Sequence, residues 1–133
     1  MQKHTPFQNT ALLLLRLAIA AIFLYAGYVK LGFWSSAPEG MSATMVNLTK
    51  FLSIVEPLGA VALIAGFLTF WAAAGLAIIM AGAILFMQFT MGVGFSTQQG
   101  PGWDFPLIIL VGCLALMAFG AGKWAADAMR KGA

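Results

Sequence analysis

Residues 57–103 of this chain read PLGAVALIAGFLTFWAAAGLAIIMAGAILFMQFTMGVGFSTQQGPGW and contain no charged side chain. Crossing the hydrocarbon core of a bilayer takes about 20 predominantly apolar residues in a helix. The stretch is more than twice that length, so it must contain a turn, best placed at residues 66–69 (GFLT). Thr69 is a candidate N-cap for the helix that follows. We therefore predict two membrane helices, over about residues 50–68 and 70–91.

Apolar runs on both sides of this stretch extend the pattern. The first covers residues 11–33 and is too long for the apolar region of a signal peptide. Residues 35–48 and 92–103 are rich in turn-forming residues and are predicted to be loops. Residues 41–50 are a candidate helical lead-in at the membrane interface. A last helix is predicted over residues 104–124, with Asp104 as a candidate N-cap and Pro106 in the first turn.

The composition indicates that lipid is the solvent for most of this chain. The 133 residues are 62% hydrophobic and 8% charged, whereas soluble domains carry about 25% charged residues. A small soluble fold cannot bury so much apolar surface. The sequence thus predicts an all-α integral membrane four-helix bundle, formed as a single domain by residues 1–133, with lipid around it.

Lysine and arginine positions predict the orientation of the helices. Loops on the cytoplasmic side of a membrane carry an excess of these residues. Near the two termini they are Lys3, Arg16, Lys123, Arg130 and Lys131, whereas only Lys30 and Lys50 flank the first loop. We therefore expect a multi-pass membrane protein with both termini in the cytoplasm.

Several kinds of site are excluded by the residues that are missing. Cys113 is the only cysteine, so neither an intrachain disulfide nor a C-x-x-C pair can form. His4 is the only histidine, which excludes a haem held by two histidines of one chain. The basic residues lie at the ends of apolar runs and form no patch for nucleic acid. No metal site and no intrinsic cofactor are expected.

Two basic residues fall inside the first predicted helix. Arg16 and Lys30 are separated by roughly 21 Å along a helix, within a hydrocarbon core about 30 Å thick. Either side chain is long enough to extend to the interface. Both also lie on one helical stripe with Gly27, and small residues favour close packing between membrane helices. The two interpretations remain open.

Glu56, which precedes Pro57, is the most informative charged residue. A glutamate this far inside an apolar helix must be paired, protonated or exposed to a water-filled cavity. One interpretation is an ion pair with Lys30 that serves packing only. The other is a site for a proton, a quinone or the head group of a substrate.

Two polar clusters are predicted from these positions. Lys30, Glu56 and Asp104 should lie at similar depth in the outer half and form the candidate functional site. Arg16 and Asp127, of opposite charge, should lie near each other at the inner face. Asp104 could instead serve only as an N-cap.

The order of several short motifs resembles the DoxX family. The matching segments are Arg16 with residues 27–31 (GYVKL), residues 56–59 (EPLG), 66–69 (GFLT), 103–107 (WDFPL) and 120–127 (GAGKWAAD). Phe70 and Ala125 depart from the arginine and serine that are frequent in the family at these positions. The resemblance implies a membrane four-helix bundle over roughly residues 11–127, located in the bacterial inner membrane, as many members of the family are.

The resemblance implies less about activity. The family name comes from a subunit associated with quinol oxidation and thiosulfate:quinone chemistry, and some members resemble membrane partners of soluble redox enzymes. This implies an accessory membrane subunit that contacts quinone or a redox-protein partner. A small proton-coupled transporter and a ligand-free scaffold or assembly factor remain open, as do the substrate, catalysis itself and a homo-oligomer.

Overall fold

The structure is a computed structural model that describes residues 4–36 and 38–131, with the side chains of residues 130 and 131 excepted. Lys3 and the side chains of Arg130 and Lys131, which contributed to the predicted orientation, lie outside what is described. Most of the described chain is helical, as expected for an all-α protein.

Four long helices follow one another along the chain. They are α1 (Pro6–Lys30), α2 (Ala43–Ala65), α3 (Thr69–Leu85) and α4 (Asp104–Phe119). A 3₁₀ turn, Leu31–Trp34, extends α1, and a π-helical segment, Phe86–Thr90, extends α3. A short helix, α5 (Ala126–Lys131), follows α4. Between α3 and α4, β1 (Ser96–Thr97) pairs antiparallel with β2 (Gly100–Pro101).

Within the described ranges, three segments are long and apolar enough to cross a membrane: Pro6–Trp34, Ala43–Ala65 and Thr69–Thr90. Helix α4 is apolar but has only 16 residues. The prediction of a helix through residue 124 was therefore too long. Helix α4 ends because Gly120 takes a positive φ of 81°, which is incompatible with continuing the helix.

Two helices begin earlier than predicted because the chain supplies caps that were overlooked. The Thr5 hydroxyl accepts from the Gln8 N–H, and the Gln8 side chain accepts from the Thr5 N–H. This capping box starts α1 at Pro6 instead of residue 11. The Ser42 hydroxyl accepts from the Met45 N–H, so α2 begins at Ala43, within residues 41–50, the candidate helical lead-in.

The two N-caps predicted from the sequence were wrong. Thr69 is the first residue of α3, preceded by Leu68 in the left-handed region with φ of 51°. Asp104 is the first residue of α4, and Trp103 occupies the N-cap position without a side-chain hydrogen bond. At α3 the missing cap comes from a residue distant in sequence, described below.

Successive helices run in opposite directions, with α1 packed mainly on α2 and α3 on α4. One continuous apolar core joins all four helices. The core is formed by Leu12, Ile19, Ala20, Phe23, Ala60, Leu63, Ala73, Leu76, Ala77, Ile109, Cys113 and Leu116. We call the end that holds Arg16 and residues 63–69 and 119–127 the Arg16 end. The opposite end, with Lys30, Glu56 and residues 86–105, is the Lys30 end.

Close approach of α1 and α2 depends on Gly27. A Cβ atom at this position would overlap the ring of Pro57, with the ring Cδ 2.7 Å away. Proline in a membrane helix is tolerated where neighbouring helices pack around it. Gly27 thus lets the ring of Pro57 sit against α1, one turn from Lys30 and directly after Glu56.

We expect Gly27→Ala to lower the free energy of unfolding by about 1–3 kcal/mol, the usual range for an overpacked core. Gly75→Ala is the matched control, because a Cβ atom at Gly75 of α3 meets nothing within 4 Å. There the substitution should be neutral or stabilise the helix by up to about 1 kcal/mol. Denaturant titration in detergent micelles measures both, and equal effects at the two sites would contradict this packing account.

Candidate functional site

An ion pair between α1 and α2 lies at the Lys30 end. The Lys30 Nζ is 2.9 Å from the Glu56 Oε1, and the Glu56 side chain is only 2% exposed whereas that of Lys30 is 27% exposed. A carboxylate removed from water is stable only when it is paired or hydrogen-bonded. Lys30 supplies that partner, so the two residues that the sequence assigned to one cluster are in direct contact.

A second set of contacts fixes the chain around this pair. The Trp34 Nε1 donates to the Ser53 Oγ at 2.9 Å, and the Ser53 hydroxyl donates to the Lys50 carbonyl oxygen at 2.6 Å. The Lys50 Nζ lies 5.2 Å from the centre of the Trp34 ring, within the range of a cation–π interaction. These contacts hold the 3₁₀ turn after Lys30 against α2, one turn before Glu56.

The ion pair lies on the wall of a cleft between α1, α3 and α4. The cleft has a volume of about 190 Å³, and apart from Lys30 and Glu56 its lining is apolar. We call it the Lys30–Glu56 cleft. Its other lining residues are Ile22, Phe23, Ala26, Met80, Ala83, Met87, Phe105, Pro106 and Ile109. Small-molecule sites are commonly apolar clefts of about 300–1,000 Å³ with few polar groups at defined positions; this cleft has that chemistry and is smaller.

Asp104, the third residue of the predicted cluster, is not bonded to Lys30 or Glu56. Its Oδ1 is buried and has no hydrogen-bond partner within the part of the chain that is described. Its N–H donates to the Phe95 carbonyl oxygen at 3.0 Å. Because the next two residues, Phe105 and Pro106, line the cleft, Asp104 lies beside the site without touching the ion pair.

The Arg16 end has a different chemistry. The Arg16 side chain is completely buried, and its guanidinium donates to four main-chain carbonyl oxygens. The Nη1 reaches Leu63 at 2.7 Å and Ile64 at 3.2 Å, the Nε reaches Ala121 at 3.0 Å, and the Nη2 reaches Trp124. One interpretation of the sequence was that the Arg16 side chain extends to the membrane interface. Its complete burial excludes that interpretation.

These partners explain why an arginine is suited to this position. The last carbonyl groups of a helix have no partner inside that helix and carry the negative end of its dipole. Leu63 and Ile64 belong to the last turn of α2, and Ala121 and Trp124 belong to the segment after α4. The planar guanidinium has five N–H donors, enough to serve both segments at once.

Asp127 acts on the opposite kind of backbone group. Its Oδ1 accepts from the Leu68 N–H and its Oδ2 from the Thr69 N–H, each at 2.8 Å, so its carboxylate caps the start of α3. The Asp127 N–H donates to the Gly66 carbonyl oxygen at 2.8 Å. Arg16 and Asp127 thus lie at the same end, where each binds backbone groups around the turn between α2 and α3.

Gly66 is required at this turn for two reasons. It has a positive φ of 68°, which ends α2 in the left-handed conformation. A Cβ atom there would also lie 2.8 Å from both the Ala125 Cα and the Arg16 Nη1. We call Arg16, Gly66, Asp127 and their backbone partners the Arg16 network.

Sequence reasoning missed part of both sites. Met80 of α3 and Met87 of its π-helical extension line the cleft, and their separation by seven residues favours one face of the continuous helix. That spacing was an available signal, although methionine at helical spacing is common in any core. For Arg16 the available signal was the pair Gly120 and Gly122, which marks a helix end with carbonyl groups that need donors.

Comparison with known proteins identifies one family. The family model described as DoxX matches residues 11–89. No curated protein matches this chain. No solved structure matches it. The matched segment contains Arg16, Lys30, Glu56 and residues 66–69, and it ends before Asp104 and Asp127.

We expect Arg16→Met to lower the free energy of unfolding by roughly 2–4 kcal/mol, because it leaves buried carbonyl groups without donors. Arg16→Lys should recover only part of this loss, since an ammonium group cannot reproduce the geometry of the guanidinium. Lys123→Met, at an exposed position of the same end, is the control and should change stability by less than about 0.5 kcal/mol.

The combined change Arg16→Asp and Asp127→Arg should not rescue either single reversal. In that variant a carboxylate would face carbonyl oxygens and a guanidinium would face N–H groups. Denaturant titration in detergent measures the unmodified protein, both single reversals and the double reversal, together with the variants of the preceding paragraph. Rescue by the double reversal would show that direct attraction between the two charges contributes more to stability than backbone capping does.

Proposed function

This chain belongs to the DoxX family, and we propose that this small membrane protein binds a quinone in the Lys30–Glu56 cleft for a redox partner protein. One observation carries the proposal: a buried ion pair lies on the wall of an apolar cleft of about 190 Å³. Ionisable side chains inside membrane segments are costly and commonly mark ligand or proton sites.

The residues of the cleft fit the head group of a quinone. An ammonium group has three N–H donors, and Lys30 uses one of them on Glu56. The remaining donors can bind a carbonyl oxygen of the ligand. Phe105 and Pro106 provide an apolar wall for a flat ring. A cleft of this size is small for a complete lipid but adequate for a single ring.

Each residue of the site then has a defined task. Lys30 donates a hydrogen bond to the carbonyl oxygen and fixes the position of the ring. Glu56 holds Lys30 in place through the ion pair. The apolar lining excludes water from these groups. Bound quinone would supply the capacity to accept and release electrons.

A partner protein is proposed as the source of electrons. The sequence offers one cysteine and one histidine, Cys113 and His4, too few ligands for a haem or an iron–sulfur cluster within a single chain. A proton-coupled transporter and a scaffold without a ligand are the alternatives. Binding experiments on the cleft, given below, separate both from the proposed function.

We further propose that all four long helices cross the bacterial inner membrane, with the Arg16 end in the cytoplasm. Helix α4 spans about 24 Å at 1.5 Å per residue, less than the 30 Å of a typical core. Local thinning of the bilayer can accommodate such a difference at modest cost. The lysines and arginines concentrated near the two termini support this orientation.

Reporter fusions test the topology. Alkaline phosphatase, which is active only outside the cytoplasm, should be inactive when fused after residue 131. It should be active when the chain is truncated after residue 40 or after residue 99 and the phosphatase is fused at that point. A cytoplasmic fluorescent reporter should give the opposite pattern. Phosphatase activity at the C-terminus would contradict an even number of crossings that starts in the cytoplasm.

Quinone binding by purified protein in lipid nanodiscs tests the function. We expect Glu56→Gln and Lys30→Met to lower the affinity for a decyl-substituted benzoquinone at least tenfold, about 1.4 kcal/mol. Glutamine retains the shape of Glu56, so this variant should fold, but a neutral amide oxygen holds the Lys30 ammonium group less firmly than a carboxylate does. Lys123→Met is the matched control, because Lys123 is exposed at the Arg16 end and does not line the cleft.

The control should bind within twofold of the unmodified protein. Absence of saturable binding to the unmodified protein would contradict the proposed function and favour a scaffold. Binding that is equally strong in all variants would place the quinone elsewhere. Proton release by the unmodified protein that requires Glu56 but no quinone would favour the transporter.

A further inference from the structure

We infer that the Lys30–Glu56 cleft takes an amphiphilic ligand from the lipid phase, with the head at the ion pair and the tail along α1 and α3 toward the Arg16 end. This deepens the proposed function and depends on it for the identity of the head group. It adds the orientation of the bound ligand and the route by which the ligand reaches the site. It also assigns to Ala83 contact with the tail of the ligand.

The burial of the lining residues shows which way the cleft faces. Its floor is buried and contains Glu56, with Phe23, Pro106 and Ile109. Its rim is half-buried or exposed and apolar apart from Lys30. The other rim residues are Ile22, Ala26, Met80, Ala83, Met87 and Phe105. Because these residues lie on helices that face lipid, a ligand reaches the floor sideways from the bilayer.

The length of the rim provides room for a tail. Ile22 precedes Lys30 by eight residues, or about 12 Å along α1 at 1.5 Å per residue. Met80 and Met87 on α3 are separated by about 10 Å on the same basis. The cleft therefore runs parallel to the helices, from the ion pair toward the Arg16 end. It follows the seam between the α1–α2 pair and the α3–α4 pair.

A second groove on the molecule shows why the ion pair matters for the choice of ligand. It lies between α2 and α3, has a volume of about 330 Å³ and is lined only by apolar residues and glycines. Leu58 and Trp71 belong to this lining. Acyl chains of bulk lipid can cover such a groove, but nothing in it can fix a polar head. The smaller cleft has the ion pair at one end, which can fix a polar head while the tail lies along its apolar rim.

Photolabelling in nanodiscs tests the direction of the ligand. Two decyl-substituted benzoquinones are compared, one with a diazirine next to the ring and the other with a diazirine at the end of the tail. We expect the ring reagent to label peptides with Lys30 or Phe105, and the tail reagent to label peptides with Ile22 or Met80. An excess of unlabelled quinone should suppress both.

The outcomes separate the inference from the proposed function. Ring labelling at Lys30 with tail labelling at Leu58 or Trp71 would overturn the inference and leave the proposed function intact. Ring labelling confined to positions away from Lys30 and Phe105 would overturn both. Suppressible labelling in the expected pattern supports both.

A paired substitution on α3 tests the route of the tail independently. Ala83 lines the cleft, whereas Ala81 on the same helix is exposed and does not. We expect Ala83→Phe to weaken binding of the decyl-substituted quinone about tenfold. Binding of a benzoquinone that lacks the decyl tail should stay within twofold of its value for the unmodified protein. Ala81→Phe should change neither.

Equal weakening of both quinones by Ala83→Phe would overturn the assigned tail path, as would no effect on either. If Ala83→Phe does not fold, Ala83→Leu and the photolabelling pattern provide the same test. If the unmodified protein does not bind the benzoquinone that lacks a tail, this result counts against the proposed head-group site and not against the tail path.

Discussion

The rest of this structure depends on the buried guanidinium of Arg16. It connects the middle of α1 with the last turn of α2 and with the segment after α4, through four hydrogen bonds to carbonyl oxygens. Asp127 completes the connection, because it binds the first N–H groups of α3 and the Gly66 carbonyl oxygen. Helix ends that would otherwise present unpaired backbone groups are thereby joined to one another.

The two ends of the molecule hold their basic side chains in different ways. At the Arg16 end, a charged side chain is completely buried and gives its donors to the protein's own backbone, so little capacity is left for a ligand. At the Lys30 end, the ammonium group is partly exposed, gives one hydrogen bond to Glu56 and faces a cleft. Both residues are basic groups within one apolar helix, yet their surroundings assign them different roles. The DoxX family match covers both residues.

Much of this arrangement could be predicted from the sequence. The apolar runs predicted the helices, and the positions of Lys30 and Glu56 within them suggested the pair. The partners of Arg16 could not be predicted, because they are carbonyl groups that every residue possesses. The cap of α3 was missed for a related reason: Asp127 lies 58 residues from Thr69. Asp104 was placed near the correct end, but helical spacing alone could not show that it stays apart from the ion pair.

The central claim is that Lys30 serves a ligand whereas Arg16 serves the fold. Solid-state NMR of protein labelled with ¹⁵N in lysine and arginine side chains, in bilayers with and without a decyl-substituted benzoquinone, tests it most directly. The Lys30 Nζ signal, assigned by its loss in Lys30→Met, should shift when the quinone is added, while the signals of the Arg16 guanidinium should stay unchanged. An unchanged Lys30 signal at saturating quinone, or a larger change at Arg16 than at Lys30, would contradict the account.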